Sequence, residues 1–218
     1  MPPRRIAVLG GTGNEGSGLA TRWAKAGHEV IIGSRNPMKA AETAAEINAK
    51  LGIRTTSGAA NVAAAAAGEI IVLTVPSNVQ RATATECIDF LRGKILVDAT
   101  VPLVPPRVAR VQMPNGSAVA ALQAQLGEEV KVVSAFQNVS AHLLRDLDHR
   151  IDCDVLVCGD DSDARETVIG LIHDAGLRGI HAGPIANSLA VEALTCILLS
   201  VNGRYKVPGS GIRITGVG

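Results

Sequence analysis

Residues 5–16 read RIAVLGGTGNEG, a short apolar run, a glycine turn and a helix start. Gly11, Gly13 and Gly16 in this stretch give the spacing G-x-G-x-x-G. The physical demands of that spacing are specific. The first glycine permits a tight turn, the second lets backbone approach a pyrophosphate, and the third lets the helix lie close on the strand. The free N–H groups at the helix start then favour an anion. A second apolar run, Glu29-Val30-Ile31-Ile32-Gly33, follows at the distance of a βαβ unit. A chain with these features is expected to fold around a parallel sheet that binds a dinucleotide at the first strand-to-helix turn.

The end of the second run indicates which dinucleotide. A site for NAD usually places Asp or Glu about 20 residues past the glycines, where it holds the ribose 2′-hydroxyl. Here the sequence reads Gly33-Ser34-Arg35, with Lys39 one helical turn further on. A carboxylate would repel a 2′-phosphate, whereas the planar fork of Arg35 grips one and Lys39 adds a point charge. The expected cofactor is therefore NADP(H).

The rest of the chain alternates strands and helices. Apolar runs predict strands over 6–9, 30–33, 53–56, 70–75, 95–99, 130–134 and 155–158. Most are continuous Val/Ile/Leu stretches, as expected for strands covered on both faces. Helices are predicted over 16–26, 37–51, 61–67, 79–90, 117–126, 164–175 and 187–202, with Gly27, Gly52, Gly68 and Gly93 at helix ends. The expected fold class is α/β, a Rossmann-type doubly wound parallel sheet with a small C-terminal α/β domain. Residues 1–135 would form the NADP-binding domain, and 136–218 the acceptor-binding and oligomerisation domain.

Charge and cysteine content exclude several function classes. With 21 Lys and Arg against 20 Asp and Glu, the net charge of +1 gives no case for a nucleic-acid partner. The opening Met1-Pro2-Pro3-Arg4-Arg5 runs directly into the first strand, no apolar run is expected to span a membrane, and the cytoplasm is the expected compartment. Cys87, Cys153, Cys158 and Cys196 form no C-x-x-C pair, and His142 and His149 lack a third nearby ligand, so no metal site is expected.

Ligands of open parallel sheets sit beyond the carboxyl ends of the strands. Those ends here are Thr74-Val75-Pro76, Asp98-Ala99-Thr100 and Ser134-Ala135-Phe136-Gln137-Asn138. A nicotinamide ring should lie beside the small apolar side chains of Val75, Ala99 and Ala135.

A series of short motifs carries a resemblance to a known family. They are Gly10-Gly11-Thr12-Gly13-Asn14, Gly33-Ser34-Arg35, Thr74-Val75-Pro76, Val133-Ser134-Ala135, Val157-Cys158-Gly159-Asp160-Asp161, Ala182-Gly183-Pro184 and Asn187-Ser188. The chain resembles the F420-dependent NADP oxidoreductases over nearly its whole length. That resemblance implies hydride transfer between NADPH and coenzyme F420, an 8-hydroxy-5-deazaflavin, by a homo-oligomer such as a homodimer. It also implies that Thr12, Gly13, Asn14 and the backbone of Glu15, beside Gly11, hold the pyrophosphate. Ser34, Arg35 and Lys39 would hold the 2′-phosphate, and Val75, Pro76 and Ala135 would border the two rings. One position departs from the pattern: family members commonly carry His where this chain has Gln137.

Direct hydride transfer needs stacked rings held at the right distance, and the cofactors carry the chemistry. No catalytic side chain is therefore assigned. Arg204, Lys206 and Arg213 are candidates for the charged tail of the deazaflavin, and the apolar helix 187–202 for a subunit interface. Two alternatives stay open from the residues alone: a reductase of a flavin or other acceptor, and a non-enzymatic NADPH-binding sensor. A hydroxy-acid or imine dehydrogenase fits less well, because the length left after the first domain is too short for its large helical domain.

Overall fold

A computed structural model describes residues 1–148 and 150–217; His149, half of the histidine pair considered above, lies outside them. The strands are β1 (Arg5–Leu9), β2 (Glu29–Ser34), β3 (Thr56–Ala60), β4 (Ile70–Leu73), β5 (Ile95–Asp98), β6 (Lys131–Ser134), β7 (Asp154–Gly159) and β8 (Arg178–His181). The helices are α1 (Asn14–Lys25), α2 (Pro37–Leu51), α3 (Asn61–Ala67), α4 (Gln80–Glu86), α5 (Ile88–Leu91), α6 (Ala118–Leu126), α7 (Ala141–Arg145), α8 (Ser162–Asp174) and α9 (Ser188–Tyr205).

The strands form one eight-stranded sheet in the order β3-β2-β1-β4-β5-β6-β7-β8. Neighbours run parallel except β6 and β7, which meet antiparallel through Val133↔Gly159 and Ser134↔Cys158. The apolar runs build this sheet because alternate residues enter two different cores. Ile6, Val8, Val30, Ile32, Val72 and Val97 face the core beneath α1, α2 and α8. Ala7, Leu9, Ile31, Ile71, Leu73 and Leu96 face the core beneath α3 to α6. The strand order reverses between β1 and β4, and this switch point opens the crevice that holds a ligand in such sheets.

Residues 136–218 are joined to the sheet by more than the β6–β7 pairing. Buried Arg22 on α1 donates to the main-chain oxygens of Leu143, Leu144 and Asp146 at the end of α7, and to Ala175 after α8. One guanidinium thus satisfies carbonyls at the C-terminal ends of two helices. Trp23 Nε1 donates to Leu171 in α8 at 2.8 Å.

Three sequence expectations need correction, and one helix bears on a fourth. The edge strand is Thr56–Ala60 and not 53–56. Its small residues let α2 lie directly on it, since a Cβ on Gly58 would run into the Ala40–Ala41 main chain. The helix expected over 79–90 is a 3-10 turn at Ser77–Val79 followed by α4 and α5, which break at buried Cys87. Two elements, α7 and β8, were not expected at all; β8 reads RGIH and is partly exposed throughout, so no apolar run marks it. Finally, Ile185–Tyr205 is long and apolar enough to cross a membrane by length and composition. In the fold, however, its Glu192 and Ser188 are fully buried against the protein.

Candidate active site

A cleft of about 470 Å³ opens at the carboxyl ends of β1, β2, β4 and β5. Its phosphate-binding end is built by the loop between β1 and α1. The left-handed turn falls on Gly10, at φ +76°, one residue before the motif glycine expected to make it. Gly11 serves a different need: a Cβ there would stand 2.7 Å from the Val8 carbonyl oxygen, and its amide is spent on Val8 and Gly33. Gly16 lets α1 approach, since a Cβ would come within 2.5 Å of Thr74 Oγ1 and 2.7 Å of Gly11 Cα. At Gly13, in contrast, a Cβ meets only Gly10 O at 3.4 Å, so space remains on the side facing the cleft. Gly13 is also the N-cap of α1 and offers no side-chain cap. The first-turn N–H groups are thus presented to an anion. From 131 residues away in sequence, Arg145 Nη1 donates to Asn14 Oδ1 at 3.1 Å and brings a guanidinium to this helix start.

The far end of the cleft is formed by β2 and α3. Arg35 is exposed and lines it, with no acidic residue beside it at the end of β2. Ser34 Oγ accepts from Asn36 N at 3.1 Å and keeps its own proton to donate. Asn36 in turn caps α2, accepting from the N–H groups of Met38 and Lys39. Lys39 stands exposed on the first turn of α2 and does not line the cleft. Asn61, at the start of the alanine helix, also lines this end, and its buried Oδ1 has no partner among the described residues.

The remaining wall combines small apolar side chains with the hydroxyls of Thr74, Ser77, Thr83, Thr100 and Thr195 and the amide of Gln137. Val75, Pro76, Ala99, Val101, Leu103 and Val139 line it. Ala135 lies fully buried in the core below and is not part of the lining, as is also true of Gly11. Under this wall sits a polar network. Asp98, with no exposed surface, accepts from Thr100 N at 2.8 Å and from Gln80 Nε2 at 2.5 Å. Burial pushes its carboxyl up to about 6 against these hydrogen bonds. Glu15, in the first turn of α1, lines the cleft; burial, then the nearby Asp98 carboxylate, pushes it up to about 8. The shift favours the uncharged acid over the carboxylate at Glu15, and an anionic ligand tolerates the uncharged form.

Thr12, Gly13, Asn14, Glu15, Ser34, Arg35, Val75, Pro76 and Ala99 are thus brought together in one cleft. Asn61, Thr195 and Arg145 were not found by sequence reasoning. Asn61 reads as the polar start of an alanine run, and Thr195 and Arg145 reach the site only through the tertiary fold. Phe136 is a core residue, packed edge-on against Trp23 at 5.9 Å between ring centroids. Arg204, Lys206 and Arg213 stay outside the cleft lining, and Arg213 pairs with Asp152 at 2.9 Å.

Residues 5–102 match the model of the family described as NADP oxidoreductase, coenzyme F420-dependent. The chain is 42% identical to an F420-dependent NADP reductase of Methanocaldococcus jannaschii, the match covering 97% of this chain and 98% of that protein. It is 40% identical to the F420-dependent NADP reductase of Methanothermobacter thermautotrophicus, over 97% of this chain and 94% of that one. A crystal structure assigned as an F420-dependent NADP reductase from Arthrobacter sp. FB24 superposes with a TM-score of 0.80 at 27% identity, covering 97% of this chain and 99% of its own. With full-length relatives at this level of identity, the chain belongs to the coenzyme F420-dependent NADP oxidoreductase family.

Proposed function

We propose that this chain is an oxidoreductase that passes hydride between NADP(H) and coenzyme F420. The observation that carries the reading is a single cleft holding an uncapped helix start, the Arg35 guanidinium and small apolar side chains along its wall. The full-length similarity to reductases of that name supports it.

The residues present fit NADP(H). Thr12, Gly13, Asn14 and the main chain of Glu15 hold the pyrophosphate, with Gly11 shaping the loop from below. Ser34 and Arg35 hold the 2′-phosphate, and Lys39 adds charge from the first turn of α2. Val75, Pro76 and Ala99 border the rings, and Ala135 supports that wall from the core. The bound nicotinamide and deazaflavin supply the redox chemistry themselves. The chain contributes orientation and a dry apolar surface, and no side chain is assigned a catalytic role. The apolar side chains of the wall also keep water from a ring that is about to lose or gain hydride.

The division near residue 135 fits this scheme, with the nucleotide held by the first part and the acceptor side completed by Gln137, Val139 and Thr195. A second copy of the chain covers the outer face of α9, where Ile197 is 52% and Tyr205 71% exposed. The cytoplasm is the compartment that suits NADPH and four free, buried cysteines.

Anaerobic mixing of the protein, NADPH and oxidised coenzyme F420 tests the reading. Bleaching of the deazaflavin's visible absorbance is expected. Tight NADPH binding without bleaching would move the assignment to another acceptor or to a sensor.

A further inference from the structure

Gln137 carries a buried side-chain acceptor that has no partner among the described residues. Its backbone is positioned by an uncommon turn, because Phe136 before it adopts φ +76°, a left-handed conformation that bulky residues rarely take. The buried ring of Phe136, packed on Trp23, holds that conformation in place. The chain then turns Gln137 toward the cleft, where it is part of the lining while only 4% exposed.

The Gln137 side-chain nitrogen and main-chain oxygen both have partners. Nε2 donates to the main-chain oxygen of Asp98 at 2.6 Å. The Gln137 carbonyl accepts from Thr195 Oγ1 at 2.7 Å. The first bond fixes which way the amide points, since turning it over would set Oε1 against the Asp98 carbonyl, two acceptors in contact. Oε1 is left buried with no partner among the described residues. Its polar neighbours do not supply one, as the Thr195 hydroxyl is used on Gln137 O and the Thr100 hydroxyl on the Asp98 carboxylate. A buried acceptor without a donor is costly, and a ligand that brings the donor relieves that cost.

We propose that Gln137 is a specificity-determining residue whose Oε1 accepts a hydrogen bond from an amide-type N–H of a bound ring. Two rings carry such a donor, the nicotinamide through its carboxamide and the deazaflavin through its imide N–H. The inference rests on the reading of the cleft as the site for these two rings. A site built to receive an N–H discriminates strongly against an analogue that lacks it, because its own polar atom is left unpaired.

Binding titrations without turnover test this. The unmodified protein is titrated with NADPH and with its 3-acetylpyridine analogue, in which a methyl ketone replaces the carboxamide. It is titrated in parallel with coenzyme F420 and its N3-methyl derivative. The analogue that has lost the donor to Oε1 should bind about 10- to 100-fold more weakly than its parent, and the other pair identifies the ring that Gln137 does not contact. Gln137→Met removes the acceptor, so it should bind that same parent and analogue equally; a steric effect of the added methyl would persist in it. If both analogues bind the unmodified protein as tightly as their parents, the proposal is overturned even should the variant fail to fold. Discrimination retained in Gln137→Met would overturn it as well. Failure of the unmodified protein to bind NADPH would overturn the reading of the cleft itself, an outcome distinct from equal binding of parent and analogue.

Discussion

Replacing Arg35 with glutamate should convert a preference for NADPH into a preference for NADH. Arg35 lines the cleft beside Ser34 at the end of β2, where the sequence Ser34-Arg35-Asn36 offers no carboxylate to hold a ribose hydroxyl. Two unit charges about 4 Å apart interact by about 1 kcal/mol in bulk water and about 4 kcal/mol near a protein surface. Arg35 is exposed, so solvent and salt hold the interaction toward the lower figure. Charge reversal replaces that attraction with a repulsion of similar size, a change of about 3 kcal/mol or roughly 100-fold in affinity. NADH carries a neutral hydroxyl at the same place, which a carboxylate accepts from, so its affinity should hold or improve. Fluorescence titration of both nucleotides measures this, and the loss for NADPH should shrink as salt is raised. Equal losses for both nucleotides, or none, would mean that Arg35 is an ordinary surface charge and that the 2′-phosphate is held elsewhere.

Glu15 links NADPH binding to pH. Its carboxyl ionises near about 8 in the fold, so NADPH affinity should fall as pH rises through that value, when a carboxylate meets the cofactor phosphates; Glu15→Gln should flatten the profile. Stability should follow the same sign. In the unfolded chain the group ionises near 4.5, so between 4.5 and about 8 the folded state binds more protons and stability declines with rising pH; the same variant removes this decline in thermal unfolding above about pH 6, below which Asp98 keeps its own share. Gly16→Val should cost about 2 kcal/mol by forcing α1 off the β4 end, whereas Gly13→Ala, which has room for a methyl, should keep the native Tm and lose NADPH affinity. Asp154→Asn should lower Tm by several degrees, because buried Asp154 holds Arg178 at 2.9 Å through both oxygens and the Ile214 amide at 2.7 Å.

The parts of the fold legible in the sequence are those where one local pattern decides the outcome. Continuous Val/Ile/Leu runs marked β1, β2, β4, β5 and β6 because burial on both faces leaves no room for polar residues. Gly52 marked the end of α2 because a left-handed C-terminal residue acts within a few positions. Where long-range packing decides, the pattern failed. Thr56–Ala60 is a strand because α2 needs small residues beneath it, and nothing in TSGAA says so locally. The same holds for the site. The glycine loop and Ser34-Arg35 are contiguous in the chain and could be read directly. Arg145 reaches Asn14 only because Arg22 fastens α7 to α1, and the orphan Oε1 of Gln137 depends on the Asp98 carbonyl 39 residues away. The turn at Gly10 was assigned one residue late because only Gly11 fits the G-x-G-x-x-G spacing, whereas the backbone angles put the left-handed residue one position earlier.

Direct transfer between two stacked rings is the claim on which the account stands. NADPH carrying deuterium at the transferred C4 position, mixed with coenzyme F420 and this protein in ordinary water, tests it in one step. Deuterium recovered at C5 of the reduced deazaflavin is the expected result. Label lost to solvent, with the acceptor still reduced, would contradict it and require an intermediate carrier or an exchangeable group on the protein.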